Sequence, residues 1–224
     1  MEIIPVLIGW AVLAAILIPL LPGGKIRGIV VYAAAAGMML LTLFLFGSWL
    51  AGGTGTVPLY PQSAAVEYVN IAMLCGEFVL MGLIIILSVR HRKYPVILLS
   101  VGQTLLVAWS ELFSPVEQTA HMRVDGLAVL MCLIVAFVGG FICVYAVGYM
   151  KAYHEHHTEY ADRQGFFFSM LFLFLAAMFG LVLSENLVWM YFFWEITSVV
   201  SFLLIGYTRT DEAVTNSFRA LWMN

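Results

Sequence analysis

Hydrophobic residues follow one another in long runs along this chain, and polar residues are concentrated between the runs. A bilayer core of about 30 Å needs about 20 apolar residues in an α-helix. Seven runs approach this length, at 3–22, 27–50, 69–89, 95–112, 126–149, 166–184 and 186–206. The pattern therefore predicts an all-α fold, a polytopic transmembrane helix bundle with seven complete spans.

The end of the sequence has the features of an eighth helix start. Asp211 and Glu212 follow Thr210, a suitable N-cap residue, and carboxylates are favourable in a first helical turn. Because the segment stops at Asn224 before it could span a bilayer, we expect the protein to continue, or to be completed by another chain.

The basic residues are distributed unequally between alternate loops. Nine of the ten lie on one side of the predicted topology and only Arg123 lies on the other. Cytoplasmic loops collect Lys and Arg, so the N-terminus is expected outside the cell.

Glu2 precedes the first apolar run, whereas Lys25 and Arg27 follow it. This charge order is the reverse of a cleavable signal peptide and favours a retained first helix.

Composition narrows the function classes. Hydrophobic residues make up 63% of the chain and charged residues 10%, compared with about a quarter charged in average globular proteins. A net charge of −3 provides no basic field for nucleic acid, and the expected partner is the lipid bilayer. The sequence has no phosphate loop, nucleophile elbow or dinucleotide fingerprint, so we expect no catalytic residue and no cofactor. The three cysteines lie in apolar runs and are interpreted as packing residues.

Glu195 is the principal candidate for chemistry. It lies about ten residues into the seventh span, near the bilayer centre, where an ionised carboxylate costs roughly 2.5 to 3.5 kcal/mol. Such a group faces the bundle interior, pairs with a neighbouring side chain or becomes protonated. A carboxylate that can both pair in its ionised form and take up a proton can relay protons. Thr197, Ser198 and Ser201 fall on an arc of about 160° of the same helix and are expected to form a supporting polar stripe. The alternative is a structural carboxylate bound to a neighbouring helix.

Glu77 is a second intramembrane carboxylate, in the middle of the third span. Proton transfer and structural pairing both remain open for it, and Gln103 in the fourth span is a candidate partner. The polar segment His154-Glu155-His156-His157 resembles a metal site in composition, but we interpret it as a solvated cytoplasmic loop and expect no metal site.

The second half of the chain contains four notable motifs: SENLVWMYFFWE at 184–195, SFLLIGY at 201–207, VDGL at 124–127 and YAVGYM at 145–150. These motifs resemble the antiporter-like subunits of the complex I superfamily. This family includes proton-pumping subunits of respiratory NADH–quinone oxidoreductase, multisubunit sodium/proton antiporters, and energy-converting hydrogenases such as formate hydrogenlyase. The resemblance implies that Glu195 belongs to a proton channel and that its lysine partner is on a later helix, beyond Asn224.

The resemblance also divides the single membrane domain into three parts. Residues 1–68 would hold the first two spans and an outer loop, 69–122 a helix pair that is extra relative to quinone-linked members, and 123–224 the antiporter-like N-terminal region. The extra pair favours a hydrogenase-type relative.

The resulting hypothesis is a proton-translocating subunit of a complex I-type or hydrogenase-type oxidoreductase, itself without redox chemistry, in a prokaryotic inner membrane. Its partners would be other membrane subunits, and its ion the proton, with sodium as an alternative. A subunit of a multisubunit cation/proton antiporter and a structural membrane anchor remain as alternatives.

Overall fold

The chain folds into eight α-helices, one 3₁₀ turn and two short strands in a computed structural model that describes residues 3–59, 64–113 and 120–223. The elements are α1 (Ile3–Leu17), the 3₁₀ turn (Ile18–Leu20), α2 (Lys25–Ala51), β1 (Val57–Leu59), α3 (Ala64–Arg90), α4 (Tyr94–Phe113), β2 (Met122–Val124), α5 (Gly126–His156), α6 (Gln164–Leu183), α7 (Leu187–Ile205) and α8 (Asp211–Met223).

The helices confirm the predicted membrane bundle. Within the described residues, six of them are long and apolar enough to cross a membrane, and α4 is apolar over the shorter stretch Tyr94–Trp109. A complete crossing by α4 stays a prediction. The largest difference is in α5, which continues beyond the apolar run to His156. Stacked rings one turn apart, Tyr145 on Tyr149 and Tyr149 on Tyr153, continue from the apolar run into this extension with centroids 6.1 Å apart.

The core lies between α1, α2, α5, α6 and α7. In this part α6 contacts α1, α5 and α7, and α2 packs along α5. Phe172 and Phe179 of α6 are completely buried there. Gly180 allows the closest approach, because a Cβ atom at this position would collide with the ring of Phe193 on α7. At the side of this core α3 packs against α7, and α4 packs on α3.

Two three-residue strands lie in the connections between the helices and do not change the all-α class of the bundle. β1 and β2 pair antiparallel, with Val57 opposite Val124 and Leu59 opposite Met122. Met122 also forms a bridge with Ser184 at the end of α6. These pairings satisfy backbone hydrogen-bonding groups in connections that lie beyond the apolar helices.

The three cysteines were expected to be packing residues. Cys132 and Cys143 are buried in the core, as expected, whereas Cys75 of α3 is exposed and is not a core packing residue.

The predicted N-cap of α8 is confirmed, because the backbone N–H of Ala213 donates to Oγ1 of Thr210 at 3.2 Å. Phe218 then anchors α8 on Phe202 of α7, with ring centroids 5.0 Å apart.

Candidate proton-transfer site

Helix α7 carries Glu195 at mid-length. The helix begins after Asn186, whose side-chain oxygen accepts a hydrogen bond of 2.8 Å from the N–H of Val188, and it ends at Gly206. Glu195 is eight residues into the helix, about 12 Å along its axis. The carboxylate is therefore far from both ends of the helix, and its side chain is half-buried.

Two donors converge on one oxygen of this carboxylate. The hydroxyl of Tyr191, one turn earlier on α7, donates to Oε1 of Glu195 at 2.6 Å. The side-chain amide of Gln103 on α4 donates to the same oxygen at 3.1 Å. Gln103 Nε2 also donates to the hydroxyl oxygen of Tyr191. The three side chains form a closed hydrogen-bonded triangle between α4 and α7.

A cleft of about 790 Å³ opens beside this triangle. Its walls are mainly apolar side chains of α4 and α7, with contributions from Ile84 of α3 and Leu221 of α8. Gln103, Tyr191 and Glu195 all line it, together with Ser198. The carboxylate thus faces a space large enough for several water molecules, whose share of liquid volume is about 30 Å³ each.

The predicted hydroxyl stripe is only partly directed towards this space. Ser198 lines the cleft, whereas Thr197 and Ser201 are not among its lining residues in the described part of the chain. All three hydroxyls donate to carbonyls of their own helix: Thr197 and Ser198 to Trp194 at 2.7 and 3.2 Å, and Ser201 to Thr197 at 2.8 Å. This back-bonding is common for Ser and Thr within helices.

Glu77 lies midway along α3 and is 2% exposed. An electrostatic interaction connects it with Tyr191, so the second carboxylate is near the Glu195 triangle. Close packing fixes this position, since a Cβ atom on Gly76 would lie 2.8 Å from the ring of Phe192 on α7. Gln103 donates to Glu195 and Tyr191, so it connects α4 with α7, and its predicted pairing with Glu77 stays a prediction.

The N-terminal end of α7 has a polar cluster that the sequence analysis missed. Trp189 Nε1 donates to Oδ1 of Asn70 on α3 at 2.6 Å. The ring of His121, which is 1% exposed, lies 5.1 Å from the Trp189 ring. Arg123 and Glu185 form an ion pair beside it. Motif spacing could not indicate this cluster, because its members come from separate loops and helices.

At the opposite end of α7, residues 154–157 were predicted to form a loop, but the first three of them belong to helix α5. His154 and His156 lie on the last turn of α5. His154 Nε2 is 2.8 Å from the hydroxyl of Tyr207, and His157 Nδ1 is 3.1 Å from Oε1 of Glu159. Backbone hydrogen bonding, with a further contribution from His157, lowers the pKa of Glu159. Burial raises the pKa of the Tyr207 hydroxyl. The histidines thus contact different partners.

Tyr191 was also missed, although a signal for it was present. It precedes Glu195 by four residues, and side chains at this spacing lie on one face of a helix. Its position in an aromatic run made it resemble an ordinary packing residue.

Two family models match the chain. Residues 109–161 match the N-terminus of chain 5 of NADH-ubiquinone oxidoreductase, complex I. Residues 184–224, which contain Glu195, match the transmembrane region of the NADH:quinone oxidoreductase/Mrp antiporter family.

Curated relatives agree with these matches. Na⁺/H⁺ antiporter subunit A1 of Staphylococcus haemolyticus (strain JCSC1435) is 39% identical over 92 residues, which are 41% of this chain and 10% of that protein. The subunits A1 of Staphylococcus aureus strains JH9 and Newman are 38% identical over 92 residues, with the same coverage. The match therefore spans about a tenth of the length of these relatives. The motifs noted in the sequence, the apolar helices and these matches together make the chain an antiporter-like membrane protein of the complex I/Mrp antiporter superfamily.

Proposed function

We propose that this chain contributes a proton-carrying glutamate, Glu195, to a multisubunit cation/proton antiporter in a bacterial plasma membrane. The supporting observation is a half-buried carboxylate at mid-helix that faces a cleft and accepts hydrogen bonds from Tyr191 and Gln103. A carboxylate in this position can exist with or without its proton, because the donors favour the ionised form and the low dielectric favours the neutral form.

The antiporter replaces the oxidoreductase as the preferred function. The Staphylococcus relatives are named Na⁺/H⁺ antiporter subunits, which favours the alternative of the sequence analysis over its main hypothesis. Redox-coupled pumping is kept as the second candidate, because residues 109–161 match a complex I model. In both cases the chain would hold ion-translocating groups and leave electron transfer to other subunits.

Glu77 is the second carboxylate of the proposed path. Its burial in α3 and its interaction with Tyr191 support a role in passing protons to or from the triangle. Ser198, which shares the cleft with Glu195, is the member of the hydroxyl stripe best placed to hold water there. Thr197 and Ser201 donate to carbonyls of their own helix, and their supporting role in the stripe stays a prediction.

The test is transport by the complete complex in inverted membrane vesicles. Sodium-dependent proton movement would be followed with a fluorescent pH probe for the wild type, for Glu195→Gln and for the control Glu212→Gln, which changes an exposed residue of α8. We expect Glu195→Gln to lose transport by at least tenfold at unchanged protein level, and the control to keep it. Normal transport by Glu195→Gln would overturn the proposal and favour the structural anchor.

The ion gradient distinguishes the two candidate functions. An imposed sodium gradient that moves protons without an electron donor supports the antiporter. Proton movement that occurs only during electron transfer supports the redox-coupled subunit.

A further inference from the structure

The α3–α4 pair is attached to the rest of the bundle through paired strands. β1 precedes the pair and β2 follows it, and Leu59 lies directly opposite Met122. The N–H of His121 donates to the carbonyl of Leu59 at 3.1 Å, which extends this connection. The chain therefore leaves and re-enters the bundle at one place.

Contacts with α7 fix the position of the pair. The Trp189–Asn70 hydrogen bond connects α3 with the start of α7. One to two turns further along, Gly76 accommodates the ring of Phe192. These contacts place α3 against α7, and α4 packs on α3, so the side chain of Gln103 on α4 reaches the middle of α7.

Gln103 is the group that α4 delivers to the carboxylate. A glutamine side chain has two N–H donors and no titratable proton, so it can hold Glu195 without competing for the transported proton. It acts on both other members of the triangle, the carboxylate oxygen at 3.1 Å and the Tyr191 hydroxyl. Its two contacts orient the hydroxyl and carboxylate together.

The ionisable surroundings of Glu195 are sparse among the described residues. Tyr191 is on its own helix and Glu77 is on α3. Helix α6 contains no ionisable side chain. Helix α4 carries Tyr94 at its start and Glu111 near its end, and α8 carries Asp211, Glu212 and Arg219. The other ionisable side chains of α3 are Glu67, Tyr68, Cys75 and Arg90. The hydrogen bond that the uncharged Gln103 amide donates therefore directly affects whether Glu195 is protonated or ionised.

We propose that Gln103 is a positioning residue for Glu195, supplied by the α3–α4 pair, which sets the pH range of ion transport by holding the carboxylate in a donor-rich geometry. The inference rests on the proposed function of Glu195. The inference also gives the α3–α4 pair a role in ion transport, which the family resemblance does not.

The decisive variant is Gln103→Leu, which keeps the approximate size and removes the donor. Loss of a donor to the carboxylate favours the protonated form. We expect the acid limb of the pH profile of transport to move upwards by about one pH unit. In the matched control, Thr104→Val, the changed hydroxyl donates only within α4, to the carbonyl of Ser100. The control should keep the wild-type profile.

A second variant distinguishes an effect on the protonation of Glu195 from a folding defect. Gln103→Glu keeps a polar group but places another carboxylate against Glu195, so we expect an upward displacement of the acid limb at least as large as that of Gln103→Leu. Protein levels in the membrane would be measured for both variants.

The outcomes separate the two proposals. Loss of transport in Glu195→Gln, together with unchanged pH profiles for both Gln103 variants, would overturn the positioning role alone. Retained transport in Glu195→Gln would overturn the proposed function.

Discussion

Tyr191 and Glu195 lie one turn apart on α7, and the phenol hydroxyl donates to Oε1 of the carboxylate at 2.6 Å. The same hydroxyl accepts a hydrogen bond from Gln103. Tyr191 is therefore both a donor to the proposed proton carrier and the connection between α4 and α7. This double role makes its hydroxyl the most informative single atom of the site.

Replacing Tyr191 with Phe should alter the pH dependence of transport. The substitution removes the donor to Glu195 and keeps the ring, so we expect the acid limb to move upwards by about one pH unit, as hydrogen bonds to charged groups contribute about 1.5 to 3 kcal/mol. The measurement is sodium-dependent proton movement in vesicles over a series of pH values.

The control for this variant is Tyr145→Phe, which removes a hydroxyl from an exposed side chain of α5. Identical profiles for the two tyrosine variants would contradict a role for the Tyr191 hydroxyl. The double variant Tyr191→Phe/Gln103→Leu should shift the profile by less than the sum of the single shifts, because both residues act on one oxygen.

A substitution of Gly180 tests the packing that places α7. An added Cβ would collide with Phe193, so we expect Gly180→Ala to destabilise the protein by about 1 to 3 kcal/mol. Gly47 of α2 has open space around it and is the control, for which alanine should be neutral or stabilise by up to about 1 kcal/mol. Thermal unfolding in detergent measures both. Equal midpoints for the two variants would contradict the close contact.

The N-terminus is proposed to lie outside the cell, which cysteine labelling can test. In a background without the three native cysteines, Thr56→Cys and Thr158→Cys place one thiol in each of two exposed connections. A membrane-impermeant maleimide should label Thr56→Cys on intact cells, because β1 and Arg123 share that side. Thr158→Cys should react only after permeabilisation. The opposite labelling pattern would reverse the topology.

Much of the fold could be predicted, because hydrophobic runs record directly which segments enter the bilayer. The depth of Glu195 and Glu77 followed from the same runs, and both lie near the middle of their helices. Helix pairing could not be predicted in this way. The contact of Gln103 with Glu195 could not be predicted, because the position of Gln103 in the sequence defines a face of α4 and not the helix that this face meets.

Two further differences concern the hydroxyl stripe and the strands. Thr197, Ser198 and Ser201 share an arc and all three donate to carbonyls of their own helix, but among the described residues only Ser198 of the three lines the cleft. The strands β1 and β2 have three residues each, too short for an alternating pattern to be visible. Their pairing depends on the return of the chain after the α3–α4 pair.

The pairing of Leu59 with Met122 has an evolutionary consequence. Neighbouring strands lie about 5 Å apart, so a short turn would suffice to join them if both intervening helices were deleted together. With α4 crossing as predicted, removal of the pair takes away two crossings and preserves the orientation of every later helix. The pair is therefore a unit that can be gained or lost whole, and a chain without it would lack the amide of Gln103 beside the carboxylate of Glu195.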